Sequence, residues 1–282
     1  MLATQRHSHI LAAVRAHGAV RVADLVDQLD VSDMTVRRDI SELHRAGLVR
    51  RVHGGAVAPS DPARPTDEPG FEAKRTWATA EKSAIARAAL ATIEPGQSIA
   101  LSAGTTTHLL ALLIAGTPTL RPLTVVTNSL AVVDALRGAD QAASGGLDVV
   151  LTGGVRTPSD ALVGPVADAA LHRLRVDQTF LGVHGVDATG VTTPNLLEAA
   201  TNQALIACAH RVTVLADHTK WGVVGLAQIA DLTEIDALIS DDALSAEART
   251  VLAGAVGRLH LAATDTGAPT RSPARTDSKD AR

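Results

Sequence analysis

The stretch VSDMTVRRDISELHRAGLVRRVHGGAV, from Val31 to Val57, constrains this chain more than any other. Asp30-Val31-Ser32 is a tight polar connection. Ser32 can cap a helix, and Asp33 falls in its first turn, where an acid complements the helix dipole. Val36, Ile40 and Leu43 recur at helical spacing, and Gly47 supplies the stop. Upstream, Ile10, Leu11 and Val14 give residues 4–17 one apolar face, and Val22, Leu25, Val26 and Leu29 mark a second short helix. Downstream, Leu48 to Val57 alternates weakly and holds Arg50, Arg51, His53, Gly54 and Gly55, the pattern of a short β-hairpin. These pieces predict a winged helix-turn-helix over residues 1–57.

In such a module the second helix of the motif enters the major groove N-terminal end first. With Val36, Ile40 and Leu43 inward, the outward positions are Ser32, Asp33, Thr35, Arg38, Asp39 and Glu42, and Arg37 lies at the border. Arginine can grip guanine O6 and N7 bidentately, and serine or threonine can touch a base edge or a phosphate. Arg50 and Arg51 suit phosphate or minor-groove contact. Double-stranded DNA is therefore the expected partner of Ser32, Thr35, Arg37, Arg38, Arg50 and Arg51. The net charge of −4 argues against binding nucleic acid over the whole surface but leaves room for this local patch.

Residues 58–78 open with APSDPARPTDEPG, which holds four of the twelve prolines and reads as a linker. From 79 to 260 short apolar strands alternate with helices, which predicts an α/β domain with a mostly parallel sheet and helices on both faces. Residues 261–282 read as a disordered tail. Several strands end in small or polar loops: SAGTTT, TNS, TGG and ADHTK. Open α/β sheets bind ligands beyond their C-terminal strand ends. The Gly104-Thr105-Thr106-Thr107 loop precedes a helix, so it either caps that helix or holds a phosphate on its N–H groups. Asp217 and Lys220 either pair with each other or hold a ligand, and Trp77 and Trp221 flank the same region.

Cys208 is the single cysteine, so neither an internal disulfide nor a cysteine zinc site is expected. His184 and His218 lack a third ligand at metal spacing. No metal and no cofactor are expected. No apolar run reaches the ~18 residues of a membrane span, and the expected location is the cytoplasm.

The string from Val31 to Val57 resembles the winged helix-turn-helix of the DeoR family, whose pattern runs V-S-x-x-T-I-R-R-D-L-x-x-L-x-x-x-G into a basic Gly-Gly wing. It matches at Val31, Ser32, Thr35, Arg37, Arg38, Asp39, Leu43, Gly47, His53, Gly54 and Gly55. The segment from Glu81 to Asp241 is similar to that family's sensor domain, whose fold is like that of ribose-5-phosphate isomerase, glucosamine-6-phosphate deaminase and CoA transferase. The matches include Glu81-Lys82, Thr127, Ser129, Asp177 and Thr193. The resemblance implies a transcription regulator, a repressor of sugar or related carbon metabolism, that binds a phosphorylated sugar or similar metabolite. It implies effector contacts from Ser102, Gly104, Thr105, Thr106, Asn128, Gly153, Gly154, Gly185, Asp187, Glu198, Asp217 and Lys220. The family commonly carries an acid two residues before the loop glycine. Ser102 stands there, a donor and acceptor without charge. A homo-oligomer, dimer or tetramer, is expected because such heads read paired half-sites. The alternative is a sugar-phosphate isomerase or deaminase with an accessory DNA-binding head, using Asp187, Glu198, Asp217 and Lys220 as its acids and bases.

Overall fold

The computed structural model describes residues 3–17, 19–29, 31–52, 55–57, 71–75, 77–137 and 146–264. The head is built from α1 (Ala3–His17), β1 (Ala19–Arg21), α2 (Val22–Leu29), α3 (Asp33–Arg45), β2 (Arg50–Val52) and β3 (Gly55–Val57). Ile10 and Val14 of α1, Leu25 and Leu29 of α2, and Val36, Ile40 and Leu43 of α3 share one core with Val49 and Ala56. The hairpin expected over Leu48 to Val57 forms as β2 and β3. It gains a third strand, because β1 pairs antiparallel with β3. Ala19-Val20-Arg21 is too short to show a strand period.

The second body runs from α4 (Phe71–Arg75) and α5 (Thr79–Leu90) into β4 (Ser98–Leu101), α6 (Thr105–Ala115), β5 (Leu123–Thr127), α7 (Leu130–Leu136) and β6 (Leu147–Leu151). A short hairpin, β7 (Val155–Arg156) and β8 (Leu162–Val163), leads to α8 (Pro165–Leu171) and β9 (Val176–Gly182). Then come β10 (Gly185–Val186), β11 (Gly190–Thr193), α9 (Leu196–Ala207), β12 (Ala209–Leu215), β13 (Ala227–Asp231), β14 (Ala237–Asp241), α10 (Ala246–Ala255) and β15 (Leu259–Ala262).

Seven of these strands form a parallel sheet in the order β15-β14-β12-β9-β4-β5-β6. Alternate residues on each strand serve opposite faces. Ile99, Leu101, Val125, Phe180 and Leu215 pack with α5, α6 and α7. Ala100, Val126, Leu181 and Val214 pack with α8, α9 and α10 on the other side. Thus the α/β architecture and the helices on both faces are as expected. No helix among the described residues is long and apolar enough to cross a membrane.

The chain builds outward from β4 through β5 to β6, then returns to the other side of β4 as β9 and builds outward again to β15. The strand order therefore reverses between β4 and β9, and a crevice opens where the two diverging loops leave the sheet.

Four features escaped the sequence reading. The seventh strand, β15, runs to Ala262, past residue 260 and into the segment expected to be tail. β10, β11 and β13 form a separate antiparallel sheet, and β7 pairs with β8. Finally, α4 is helical inside the segment 58–78 assigned to the linker. These are short pieces whose pairing is decided by the body they pack on rather than by their own period. Residues 58–70 and 265–282, where most of the linker and the tail were expected, lie outside the described residues.

Candidate functional site

In the head, Ser32 is the N-cap of α3, and its Oγ accepts from the Thr35 backbone N–H at 3.3 Å and bonds Thr35 Oγ1 at 2.8 Å. At the other end Gly47 adopts φ +72°, a left-handed turn that only glycine enters freely. Arg37 and Arg38 project from the exposed side. Arg37 Nε donates to Asp33, and Arg38 Nε donates to Glu42 Oε1 at 3.1 Å. Both expected readers are thus held by acids one turn away on the same helix. Arg50 and Arg51 stand on β2 in register with Val57 and Ala56. His53 and Gly54 lie outside the described residues.

Asp39 corrects the sequence reading. Helical spacing puts it on the outward face, yet it is only 2% exposed. Position 39 lies beside Ile40 and Leu43, where α1 crosses α3. Arg6 of α1 donates to both its oxygens, at 2.6 and 3.0 Å, and His7 Nε2 lies 3.2 Å away. Burial alone would raise the Asp39 carboxyl, but Arg6 and then His7 outweigh it and hold the group below the usual carboxylate range. Asp39 therefore ties α1 to α3.

In the second body a cleft opens at the reversal between β4 and β9, the place where open α/β sheets hold their ligands. Ala103 and Gly104 after β4 form one wall, and Gly182, Val183 and His184 after β9 form another. Of the expected effector residues, Gly104, Thr105, Thr106, Asn128, Glu198, Asp217 and Lys220 come together around it. The first turn of α6 brings Thr105 and Thr106, so the helix N-terminus faces the cleft. Asn128 also carries structure. Its Oδ1 accepts from the Ala103 N–H at 3.0 Å, and its Nδ2 donates to the Leu162 carbonyl at 3.1 Å.

The other expected residues do not line the cleft. Ser102 is fully buried beneath it and accepts from the Gly182 N–H at 2.9 Å, joining β4 to β9 at the reversal. Gly153 and Gly154 bend the chain out of β6, and a Cβ on Gly154 would lie 2.7 Å from the Val163 carbonyl. Gly185 packs on Val223, where a Cβ would lie 1.9 Å from a backbone oxygen. Asp187 turns the β10–β11 hairpin; burial would raise its carboxyl, but the Thr189 hydroxyl and then the Thr189 and Gly190 N–H groups donate to it and keep it low. These positions turn the chain or let two backbones approach closely. Trp77 and Trp221 do not line the cleft either.

The structure adds Phe71, Lys74, Lys82, Ser159, Thr193 and Asn202 to the lining. Glu198 is buried between two hydroxyls: Thr157 Oγ1 donates to it at 2.6 Å and Thr193 Oγ1 at 3.3 Å. Asp217 is buried and accepts from the Thr219 N–H at 3.1 Å. Ser159 Oγ is buried with no hydrogen-bond partner among the described residues. Lys82 is 3% exposed, and its ammonium donates to the Lys74 carbonyl at 2.7 Å. Desolvation pushes Lys82 down to about 8, partly offset by Asp217. Three of the four lysines in the chain, Lys74, Lys82 and Lys220, thus face one cleft. The lysine count was a signal in the sequence, but only the fold shows that the three converge.

Residues 6–61 match the DeoR-like helix-turn-helix domain, and residues 77–242 match the DeoR C terminal sensor domain. The HTH-type transcriptional regulator GlpR of Haloferax volcanii is 36% identical, over 88% of this chain and 94% of that protein. The lactose phosphotransferase system repressor of Staphylococcus aureus is 35% identical, over 84% of this chain and 91% of that one. A solved D-ribose-5-phosphate isomerase in complex with phospho-erythronic acid overlays with a TM-score of 0.37 at 17% identity, over 50% of this chain and 52% of that one, too distant a likeness to carry chemistry across. The relatives are regulators along most of their length, and the chain belongs to the DeoR family of DNA-binding transcriptional regulators.

Proposed function

We propose that this protein represses genes of sugar or related carbon metabolism and that a phosphorylated sugar in the cleft controls its grip on the operator. The observation that carries the ligand class is the convergence of Lys74, Lys82 and Lys220 on one cleft that also presents the N-terminus of α6. Cations and helix N–H groups together favour a phosphate. Glu198, Asp217 and the Ser159 hydroxyl supply the acceptors and the donor that a polyol needs. On the DNA side, Ser32, Thr35, Arg37, Arg38, Arg50 and Arg51 are the proposed contacts. Two heads of a homo-oligomer, a dimer or a tetramer, read paired half-sites. The cleft senses its ligand and does not transform it, and the regulator works in the cytoplasm.

A fluorescence titration against DNA from upstream of the protein's own gene, at stated salt, tests the reading head. Arg38→Ala should weaken specific binding about tenfold to a hundredfold, the value of one bidentate base contact. Undiminished specificity in that variant defeats the assignment. Ribose 5-phosphate or glucosamine 6-phosphate should raise the melting temperature without being consumed. Turnover of either compound would instead revive the enzyme.

A further inference from the structure

The first described element after the head is α4, and only residues 58–70 separate it from the end of β3. This short helix is part of the cleft wall. Phe71 and Lys74 both line the cleft. The Phe71 N–H donates to the Pro158 carbonyl at 3.2 Å, and its ring meets His108 edge-on with centroids 5.7 Å apart. At its other end, the Lys74 carbonyl accepts from the buried Lys82 ammonium at 2.7 Å and from the Trp77 N–H at 3.3 Å. The Trp77 bond is a local turn, but the contacts to Pro158, His108 and Lys82 join α4 to other elements of the sensor body. The segment that carries the chain out of the head is therefore seated on the ligand site itself.

We propose that α4 is the element through which the cleft acts on the DNA-reading head: an anionic ligand held jointly by Lys74 of α4 and Lys82 of α5 fastens α4 to the sensor body. This rests on the sugar-phosphate reading of the cleft and says how that cleft is read out. An ammonium has three N–H donors, so Lys82 can keep the Lys74 carbonyl and still engage an anion. Its position is enforced by burial, since the group is nearly enclosed and its stem packs within the second body. The ligand adds a second bridge between α4 and α5 where the empty protein has the carbonyl bond. A ligand can shift an equilibrium only through contacts that differ between the two states. Here the differing contact is the anion bridge, present only while α4 is seated. Seating α4 fixes where the tether to the head begins, which limits the separations and orientations that paired heads can adopt on DNA.

Hydrogen exchange read by mass spectrometry on the full chain tests this. The probe is ribose 5-phosphate, with inorganic phosphate and unphosphorylated ribose alongside. In the wild type, ribose 5-phosphate should slow exchange in residues 71–77 about tenfold or more, together with residues 103–107 of the cleft wall. In Lys82→Met, residues 71–77 should exchange faster even with no ligand, while the α6 and β9 cores keep their protection. Lys82→Arg, which retains a donor and a charge, should restore the slow exchange. Inorganic phosphate alone should give part of the effect, and ribose none. Protection of 103–107 with no change at 71–77 overturns the inference and leaves the cleft reading intact. No protection at either segment overturns the cleft reading, and the inference with it. Unchanged exchange at 71–77 in ligand-free Lys82→Met also overturns it.

Discussion

The head and the cleft solve opposite problems. The head exposes the side chains proposed to read DNA on one continuous helix, where Arg37 and Arg38 lie against Asp33 and Glu42 in water. Exposed pairs of this kind are screened and easily exchanged for a phosphate or a base edge. The cleft buries the groups proposed to hold a ligand. Glu198, Asp217 and Lys82 are each less than a tenth exposed, and they come from different elements of the fold. Charges there are desolvated, so each must be held by partners, and removing one strands the others. A surface that must meet any stretch of DNA before finding its operator gains from loosely held arginines. A site that must choose one small molecule gains from groups fixed before the ligand arrives.

The sharpest way to break that contrast is to loosen the cleft from below. Phe180 sits on β9 at the reversal point, fully buried among α5, α6 and α7. Phe180→Ala should cost about 3–5 kcal/mol, read by chemical denaturation of the whole chain. Ligand affinity should fall with it, because β9 carries Gly182, Val183 and His184 into the wall. If the fold keeps its stability but loses its ligand response, the cleft is less rigid than its burial implies. A smaller and more local change is Glu198→Ala. It removes the acceptor for Thr157 and Thr193 and should weaken ribose 5-phosphate binding about tenfold, the worth of one charged hydrogen bond. Operator binding by the ligand-free protein should not move. An equal loss in both titrations would mean that head and cleft are not separable as described.

The same contrast explains what was legible in the sequence. The head is local: its cap, its apolar stripe and its wing lie within Val31 to Val57, so a pattern along the chain is also a pattern in space. Asp39 is the exception, since its partner Arg6 lies on another helix and no spacing within α3 reveals it. The sheet and most of its helices followed from alternating apolar runs. The cleft was only half legible. Loops at strand ends pointed to Gly104, Asn128 and Asp217, but the strand order decides which loops face one another. Gly153, Gly154, Gly185 and Asp187 are effector contacts by family resemblance alone, and small and acidic residues at strand ends serve turns as readily as ligands. Lys74 and Lys82 were missed because they precede the first strand and reach the cleft only once α4 and α5 pack on the sheet.

The smallest predicted effect separates the two regions by pH. In the head, Asp39 is held below its ordinary value by Arg6 and His7 despite burial. A depressed carboxyl stabilises the fold above the unfolded pKa, and that stability is lost as pH falls through the folded one. The head should therefore weaken only in acid, below about 4, and Asp39→Asn should remove that dependence. In the cleft the slope keeps its sign, because this group too is depressed, but it acts in alkali and arises from a charge that burial penalises. Lys82, facing Asp217, Lys220, Lys74 and Glu81, sits near 8 rather than 10.5 because burial disfavours its charge. The empty sensor should gain stability from this group as pH rises from about 8 towards 10.5, where the unfolded chain still holds the proton that the folded one has released. A bound phosphate, already doubly charged above its second pKa near 6, favours the charged lysine. Ribose 5-phosphate affinity should hold below pH 8 and fall above it by at most about tenfold per pH unit. Affinity and stability moving in opposite directions over one pH window is a signature that a lysine paired only for structure would not give. A Lys82→Met protein in which both slopes persist would show that another group carries the charge in the cleft.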